Sequence, residues 1–219
     1  MKVVILTRTG FHHNAFINRL QKYFEIACVV RESYPDTGKP EGRFRLVKRI
    51  FQRRGPAEGD DAGFLERFHQ EYSAGFRYHH KLKDCLRAPF DLVVEQAGTQ
   101  YVNVNCGEAN SGDFESFLRG LAPDLVAVLG SSVIKPHIIS IPKVAMINLH
   151  SGLSPYYRGT WSCGWPVVNG EPQYIGATVH HVDHGIDTGG IIHQTRPFLS
   201  EDDDLNSIFL KVIAEGTEL

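Results

Sequence analysis

Apolar residues fall along this chain in two rhythms. Val3-Val4-Ile5-Leu6 is short, β-branched and unbroken, the pattern of a strand covered on both faces of a parallel sheet. Behind it Phe16, Ile17, Leu20 and Phe24 recur at helical spacing, and residues 26–30 supply a second buried run, so the first thirty residues predict a β-α-β unit. Residues 124–129 (DLVAVL) and 144–147 repeat the buried-strand signature. Between them and the first unit, residues 111–121 predict a helix with Phe114, Phe117, Leu118 and Leu121 on one face. Strands alternating with helices predict an α/β fold built on an open, mostly parallel, Rossmann-like sheet flanked by helices.

The rhythm changes twice. Near residues 35–90 a loop marked by Pro35, Gly38, Pro40 and Gly42 leads into RFRLVKRIFQRR and, after the turn GPAEGDDAG, into FLERFHQEYSAGFRYHHKLK. Phe44, Val47 and Phe51, then Phe64, Phe68 and Tyr72, form apolar stripes that predict a helical insertion of two amphipathic helices. The first, 43–54, carries Arg43, Arg45, Lys48, Arg49, Arg53 and Arg54, which fit either a solvated face or a site for the phosphates of a nucleotide-linked or polynucleotide substrate. Beyond His150 the pattern predicts two strands, 174–182 and 190–198, joined by the loop 183–189. Asp202, Asp203 and Asp204 then offer an N-cap and first-turn negative charge to a helix through Leu205, Ile208, Phe209 and Val212. No repeat or interdomain linker interrupts the chain, so a single domain over 1–219 is expected.

Composition narrows the class. Hydrophobic residues make up 42% and charged residues 22% of the 219, which excludes wholesale disorder and the collagen-like and coiled-coil classes. Lys+Arg is 23 against Asp+Glu 25, a net charge of −2, so no global positive field attracts nucleic acid. The longest apolar runs, such as 125–129, fall far short of the roughly 20 residues of a membrane span. The apolar run after Met1-Lys2 ends at Thr7 and Arg8, too soon for a signal peptide. A cytoplasmic protein with no membrane partner is expected. Cys28, Cys85, Cys106 and Cys163 form no C-x-x-C pair, so neither a zinc knuckle nor a redox motif is written, and the thiols read as small hydrophobes.

The chemistry concentrates in Asn148-Leu149-His150-Ser151-Gly152-Leu153-Ser154-Pro155-Tyr156-Tyr157-Arg158-Gly159 and, after a gap, Val179-His180-His181-Val182-Asp183-His184-Gly185-Ile186-Asp187-Thr188-Gly189-Gly190. Asn148 and His150 end a predicted parallel strand, where ligands of open α/β sheets bind, and residues two apart on a strand share a face. Asp187 lies in a turn between two strands and can be aimed back at them. An amide donor, a group titrating near neutrality and an anion that orients it are the equipment for acyl transfer to an amine without a covalent intermediate. Taken singly, Asn148 also fits a strand cap, His150 a core histidine and Asp187 a turn residue. His180, His181 and His184 with Asp183 invite a metal reading. Adjacent strand positions point to opposite faces and no second cluster matches, so no metal is assigned.

Together the two segments, N-x-H and V-H-x-V-x-x-x-x-D-x-G-G in this order and spacing, resemble the signature of the formyltransferases that use 10-formyltetrahydrofolate. The family comprises methionyl-tRNA, glycinamide ribonucleotide and sugar-nucleotide N-formyltransferases and formyltetrahydrofolate deformylase. The resemblance covers roughly 123–198 well, the first thirty residues in outline and 31–89 hardly at all. It implies the formyltransferase fold, Asn148, His150 and Asp187 as the catalytic trio, and 10-formyltetrahydrofolate as formyl donor. The donor would meet Gly130, Ser131, Ser132, Val133, Ile134 and Lys135 after the strand 125–129, with His181, Val182 and Asp183 opening the opposing loop. Ser154 stands where many relatives have a second Leu, and Ser131-Ser132-Val133 is more polar than the usual donor loop.

For the acceptor, Thr7-Arg8-Thr9-Gly10-Phe11-His12-His13 departs from the glycine- and serine-rich phosphate loop of the ribonucleotide enzymes. The C-terminal domain of the tRNA enzyme and the regulatory domain of the deformylase are not seen in the chain, whose last predicted helix still runs at Glu218-Leu219, so a C-terminal extension is expected to be absent or truncated. A small-molecule amine on a nucleotide sugar is therefore expected as partner, with Gly10, His12, His13, Tyr157 and Arg158 as candidate acceptor contacts. A monomer and a homodimer remain open. Methionyl-tRNA or glycinamide ribonucleotide formylation, deformylation, and a catalytically inactive folate- or nucleotide-binding module are the alternatives. A nicotinamide dehydrogenase is excluded because no G-x-G-x-x-G follows the first strand.

Overall fold

The computed structural model of the chain describes residues 1–33 and 90–219; the two expected helices of the insertion lie outside the described residues. The described elements run β1 (Val3–Arg8), α1 (Phe11–Tyr23), β2 (Ile26–Ser33), β3 (Gln100–Asn105), a 3-10 turn (Glu108–Asn110), α2 (Gly112–Leu121), β4 (Leu125–Leu129), α3 (Pro136–Ile139), β5 (Ala145–His150), α4 (Trp165–Val168), a second 3-10 turn (Pro172–Tyr174), β6 (Ala177–His181), β7 (Ile191–Thr195) and α5 (Leu205–Thr217). One seven-stranded sheet has the order β3-β2-β1-β4-β5-β6-β7. β3 through β5 are parallel, and β6 and β7 are each antiparallel to the neighbour before them.

Alternation along the strands sorts side chains onto two faces. Val3, Ile5, Val29, Ala127, Leu129 and Leu149 pack with Phe16 and Ile17 of α1 and Ile208, Val212 and Ile213 of α5. Val4, Leu6, Cys28, Val30, Val126 and Val128 pack with Phe114 and Leu118 of α2 and Ile138 of α3. Both faces being covered explains the unbroken apolar runs of β1, β2 and β4. Each large side chain so buried contributes about 1.5–3 kcal/mol.

Several boundaries differ from the sequence expectation. β3 (QYVNVN) was not anticipated: it is an edge strand, only partly buried, and its alternation of Asn with Val leaves no apolar run to read. The capping signal before α5 is narrower than three aspartates suggest. Asp204 alone is the N-cap, its side chain accepting from Ser207 N, and no acidic residue lies in the first turn. Asp203 instead pairs with Lys211 Nζ at 2.6 Å. Among the described residues, no helix is long and apolar enough to cross a membrane.

Candidate functional site

β1 and β4 are neighbours whose chains depart to opposite ends of the sheet, so the loops at their C-terminal ends diverge and leave a crevice; β5, next in the order, ends beside it. Asn148 and His150, two apart on β5, present their side chains to one side there. Asp187, in the β6–β7 loop, takes a left-handed backbone (φ 51), and its carboxylate is fixed by Gly159 N–H, which donates to Oδ2 at 2.8 Å. The other contacts of that carboxylate converge on it. Asn148 Nδ2 lies 3.3 Å from Oδ1, and His150 Nδ1 lies 3.3 Å from Oδ2. The expected trio is therefore brought together around one carboxylate.

A fourth residue joins it. His180 is the cross-strand partner of Asn148 in the β5–β6 pairing, its Nε2 3.1 Å from Asn148 Nδ2 and 3.4 Å from Asp187 Oδ1. Sequence reasoning weighed His180 only as a metal ligand. The V-H-x-V motif contains it, but its place opposite Asn148 depends on a strand register that one sequence does not state. Among the described residues no group of three or more His, Cys, Asp or Glu is arranged to hold a metal ion.

The protonation chemistry of this cluster follows from its burial. His150 is almost fully buried, and desolvation lowers its pKa below the usual histidine value although Asp187 and the carbonyl of Tyr157 pull it upward. Its Nε2 lies 3.0 Å from Tyr157 O, so that nitrogen carries the proton of the neutral ring. Burial thus favours the neutral imidazole of His150 even beside the Asp187 carboxylate. For His180 burial also works against the charge, yet the hydrogen bond to Asp187 and the carbonyl of His181 outweigh it and the pKa is raised. The carboxyl of Asp187 resists ionisation through its burial but is held below the usual carboxylate range by His180, His150 and Gly159 N–H. The anion of Asp187 is therefore paired in the first place with His180.

The expected donor loop follows β4. Gly130 has φ 65 and sits so close to α1 that a Cβ there would lie 3.0 Å from His13 Cε1. Ser131 Oγ donates to Ser132 O, Val133 is 74% exposed, Ile134 is buried in the core, and the exposed Lys135 is the N-cap residue of α3. On the facing side His181 is exposed, Val182 N–H donates to Met146 O, and Asp183 Oδ1 accepts from Gly185 N and Thr188 Oγ1. Ile134 and Asp183 thus face inward or close their own loop, leaving the backbone of 130–131, Val133, Lys135 and His181 accessible.

In the expected acceptor segment, Gly10 precedes α1 with φ 134. The buried His13 donates from Nδ1 to Thr7 Oγ1 at 2.7 Å, and that hydroxyl donates to Leu129 O. His12 stacks on His13 with ring centroids 4.0 Å apart and meets Phe209 edge-on. Its Nδ1 is buried without a hydrogen-bond partner among the described residues, and burial lowers its pKa to about 4. His12 is uncharged near neutral pH and offers no cation to a phosphate. Tyr157 donates its hydroxyl to Glu171 and accepts from Asn169 Nδ2, while Arg158 is exposed.

The low pKa of His12 has a consequence for stability. The unfolded chain, with histidine near 6.5, binds this proton at higher pH than the folded one, so stability is full above about 6.5 and falls as pH drops toward 4. The loss is at most about 3 kcal/mol. Urea midpoints measured from pH 7 to pH 4 should show this decline in the wild type and a shallower one in His12→Phe.

A family model described as "Formyl transferase" matches residues 85–219. The chain is 36% identical over 108 residues to a methionyl-tRNA formyltransferase of Pelotomaculum thermopropionicum, covering 49% of this chain and 34% of that one. It is also 36% identical over 109 residues to a GDP-perosamine N-formyltransferase of Brucella melitensis, covering 49% of this chain and 42% of that one. The matched segments span less than half the length of either relative. Among solved structures, a phosphoribosylglycinamide formyltransferase from Streptococcus pneumoniae superposes with a TM-score of 0.59 at 18% identity, over 100% of this chain and 94% of that one, a likeness of fold.

Proposed function

Because the chain belongs to the formyl transferase family, we propose that it moves a formyl group from 10-formyltetrahydrofolate to a primary amine, with Asn148, His150 and Asp187 as catalytic residues and His180 positioning them. The observation that carries the reading is the single carboxylate of Asp187 joining Asn148, His150 and His180 at the C-terminal end of β5. The donor supplies the activated formyl carbon. It is bound by the accessible backbone of 130–131 and the facing loop that begins at His181.

The amine nitrogen attacks the formyl carbon, forming a C–N bond and placing negative charge on the formyl oxygen. Asn148 donates an amide hydrogen to that oxygen. His150, flanked by two acceptors in Tyr157 O and Asp187, has a hydrogen-bonding place for a second proton, and the developing oxyanion favours its uptake. Collapse then breaks the bond to the folate nitrogen; the proton lost by the amine passes, through water held by Asp187, to the departing nitrogen. The products are the formamide and tetrahydrofolate.

His180 governs what Asn148 can donate. Its Nδ1 faces the carbonyl of His181 at 2.7 Å and so carries a hydrogen in every protonation state. When His180 is neutral, its Nε2 accepts from Asn148, and both Asn148 amide hydrogens are taken up by His180 and Asp187. Once His180 is protonated it donates to Asp187, and one Asn148 hydrogen is released for the oxyanion.

The acceptor we propose is the amino group of a nucleotide-linked sugar. The near-neutral charge of the chain supports this class over tRNA, and a GDP-perosamine enzyme stands among its relatives beside a methionyl-tRNA enzyme of equal identity. Incubating the protein with 10-formyltetrahydrofolate and GDP-perosamine, other amino-sugar nucleotides, glycinamide ribonucleotide or methionyl-tRNA, with mass spectrometry of the products, tests it. Formylation of an amino-sugar nucleotide is the expected result; activity confined to the last two acceptors rejects the sugar assignment.

A further inference from the structure

Glu32, at the end of β2, is 1% exposed, a carboxylate buried where a strand meets its loop. In doubly wound folds that bind dinucleotides an acid at this position reads ribose hydroxyls, a use open only if its oxygens face the crevice. Here they are committed inward. Oε2 accepts from Ser132 N at 2.6 Å, and Oε1 accepts from Ser132 Oγ at 2.7 Å and from Gly107 N at 3.2 Å. One buried anion therefore ties the loop after β4 to the loop after β3.

The second loop returns the hold. Gly107 is the N-cap residue of the 3-10 turn Glu108–Asn110, and Asn110 grips the donor loop from the other side. Its Nδ2 donates to Val133 O at 2.9 Å, and its Oδ1 accepts from Lys135 N at 2.7 Å. Residues 132, 133 and 135 are thereby fixed through their backbone or hydroxyl by two side chains distant in sequence. Hydrogen bonds to a buried charge are the strong ones, and leaving such a charge without a donor is costly. The polar Ser132, a departure from the usual donor loop, is explained as the hydroxyl that meets Glu32.

We infer that Glu32 is a positioning residue of the donor site, acting through Ser132 directly and through Gly107 and Asn110 indirectly to set the shape of 130–135. The inference rests on the reading of that loop as the folate contact. It assigns Glu32 no contact with folate or with the reacting atoms.

The test compares the wild type with Glu32→Gln, Ser132→Ala and the double variant. Glu32→Gln keeps the volume but turns an amide donor toward donors that need an acceptor; Ser132→Ala removes a single hydroxyl and leaves the backbone N–H in place, so a folded variant is available if the first fails to fold. The expected result for each variant is a fall of about tenfold in kcat/KM for 10-formyltetrahydrofolate, carried mainly by KM, with the KM of the amine unchanged. Tetrahydrofolate, the reaction product, should bind about tenfold more weakly by titration calorimetry, and the amides of Ser132 and Lys135 should exchange faster with solvent. If Glu32 acts through Ser132, the double variant is little worse than Glu32→Gln alone. Wild-type affinity for tetrahydrofolate in folded variants, or equal losses in donor KM, acceptor KM and kcat, would overturn the role of Glu32. Absence of tetrahydrofolate binding by the wild type would instead overturn the reading of the loop itself.

Discussion

Replacing Asp187 by asparagine is expected to lower turnover about a hundredfold or more while the protein stays folded. Asparagine is the appropriate probe because Asp187 sits at φ 51, a left-handed conformation that asparagine adopts at lower cost than alanine. The volume and the bond from Gly159 N–H to the side-chain oxygen are retained, so what is lost is the charge. Without it only the carbonyl of Tyr157 opposes the burial that already lowers the pKa of His150, and the raised pKa of His180 falls with the hydrogen bond that raised it. Both imidazoles then stay neutral, one Asn148 hydrogen remains bound to His180 Nε2, and the oxyanion meets neither that hydrogen nor the charge of a protonated His150. Asn148→Ala and His150→Ala are expected to lose comparable activity. Combining either with Asp187→Asn should cost much less than the product of the single effects, since the groups act as a unit. Steady-state rates with saturating donor, with circular dichroism and a thermal midpoint as controls for folding, decide this; wild-type turnover in Asp187→Asn would remove it from the catalytic residues.

Gly152→Ala is expected to be nearly as damaging, though Gly152 has no side chain to do chemistry. A Cβ built there would lie 2.3 Å from Ser162 Cβ, 2.7 Å from His150 Nε2 and 2.7 Å from Tyr157 O. None of the three can yield cheaply. Ser162 is fully buried and bonded to Gly159 O, and the other two atoms are the partners of the hydrogen bond that orients His150. Relief of the overlap displaces the imidazole from its place between Tyr157 O and Asp187 and shifts the loop that carries Tyr157. Over-packing of this kind costs about 1–3 kcal/mol of stability. A misplacement of about 1 Å at a reacting group costs about a hundredfold in rate. The expected outcome is a folded variant with a lower thermal midpoint and turnover reduced about a hundredfold; an active Gly152→Ala would show that the position of His150 does not limit the reaction.

These expectations draw on parts of the molecule that were unequally legible. β1, β2 and β4 were readable because both their faces are buried, which leaves unbroken runs such as Val3-Val4-Ile5-Leu6. Asn148, His150 and Asp187 were readable because their spacing matches a motif and because a strand places Asn148 and His150 on one side. His180 was not, since its role depends on which residue of β5 it faces across an antiparallel ladder. Glu32 was passed over for a related reason. A charged residue ending a strand reads as solvent-facing, and only the arrival of loops about 75 and 100 residues away encloses it. That His12 carries no charge near neutral pH was likewise not legible, because burial and not residue type decides it.

The most direct test of formyl transfer mixes the protein with 10-formyltetrahydrofolate and an amino-sugar nucleotide and quantifies tetrahydrofolate and formylated amine over time. Equal amounts of the two products, formed far above the uncatalysed rate by the wild type and not by Asp187→Asn, are the predicted result. Release of tetrahydrofolate with free formate and no formylated amine from any acceptor offered, or equal rates for wild type and Asp187→Asn, would contradict the account.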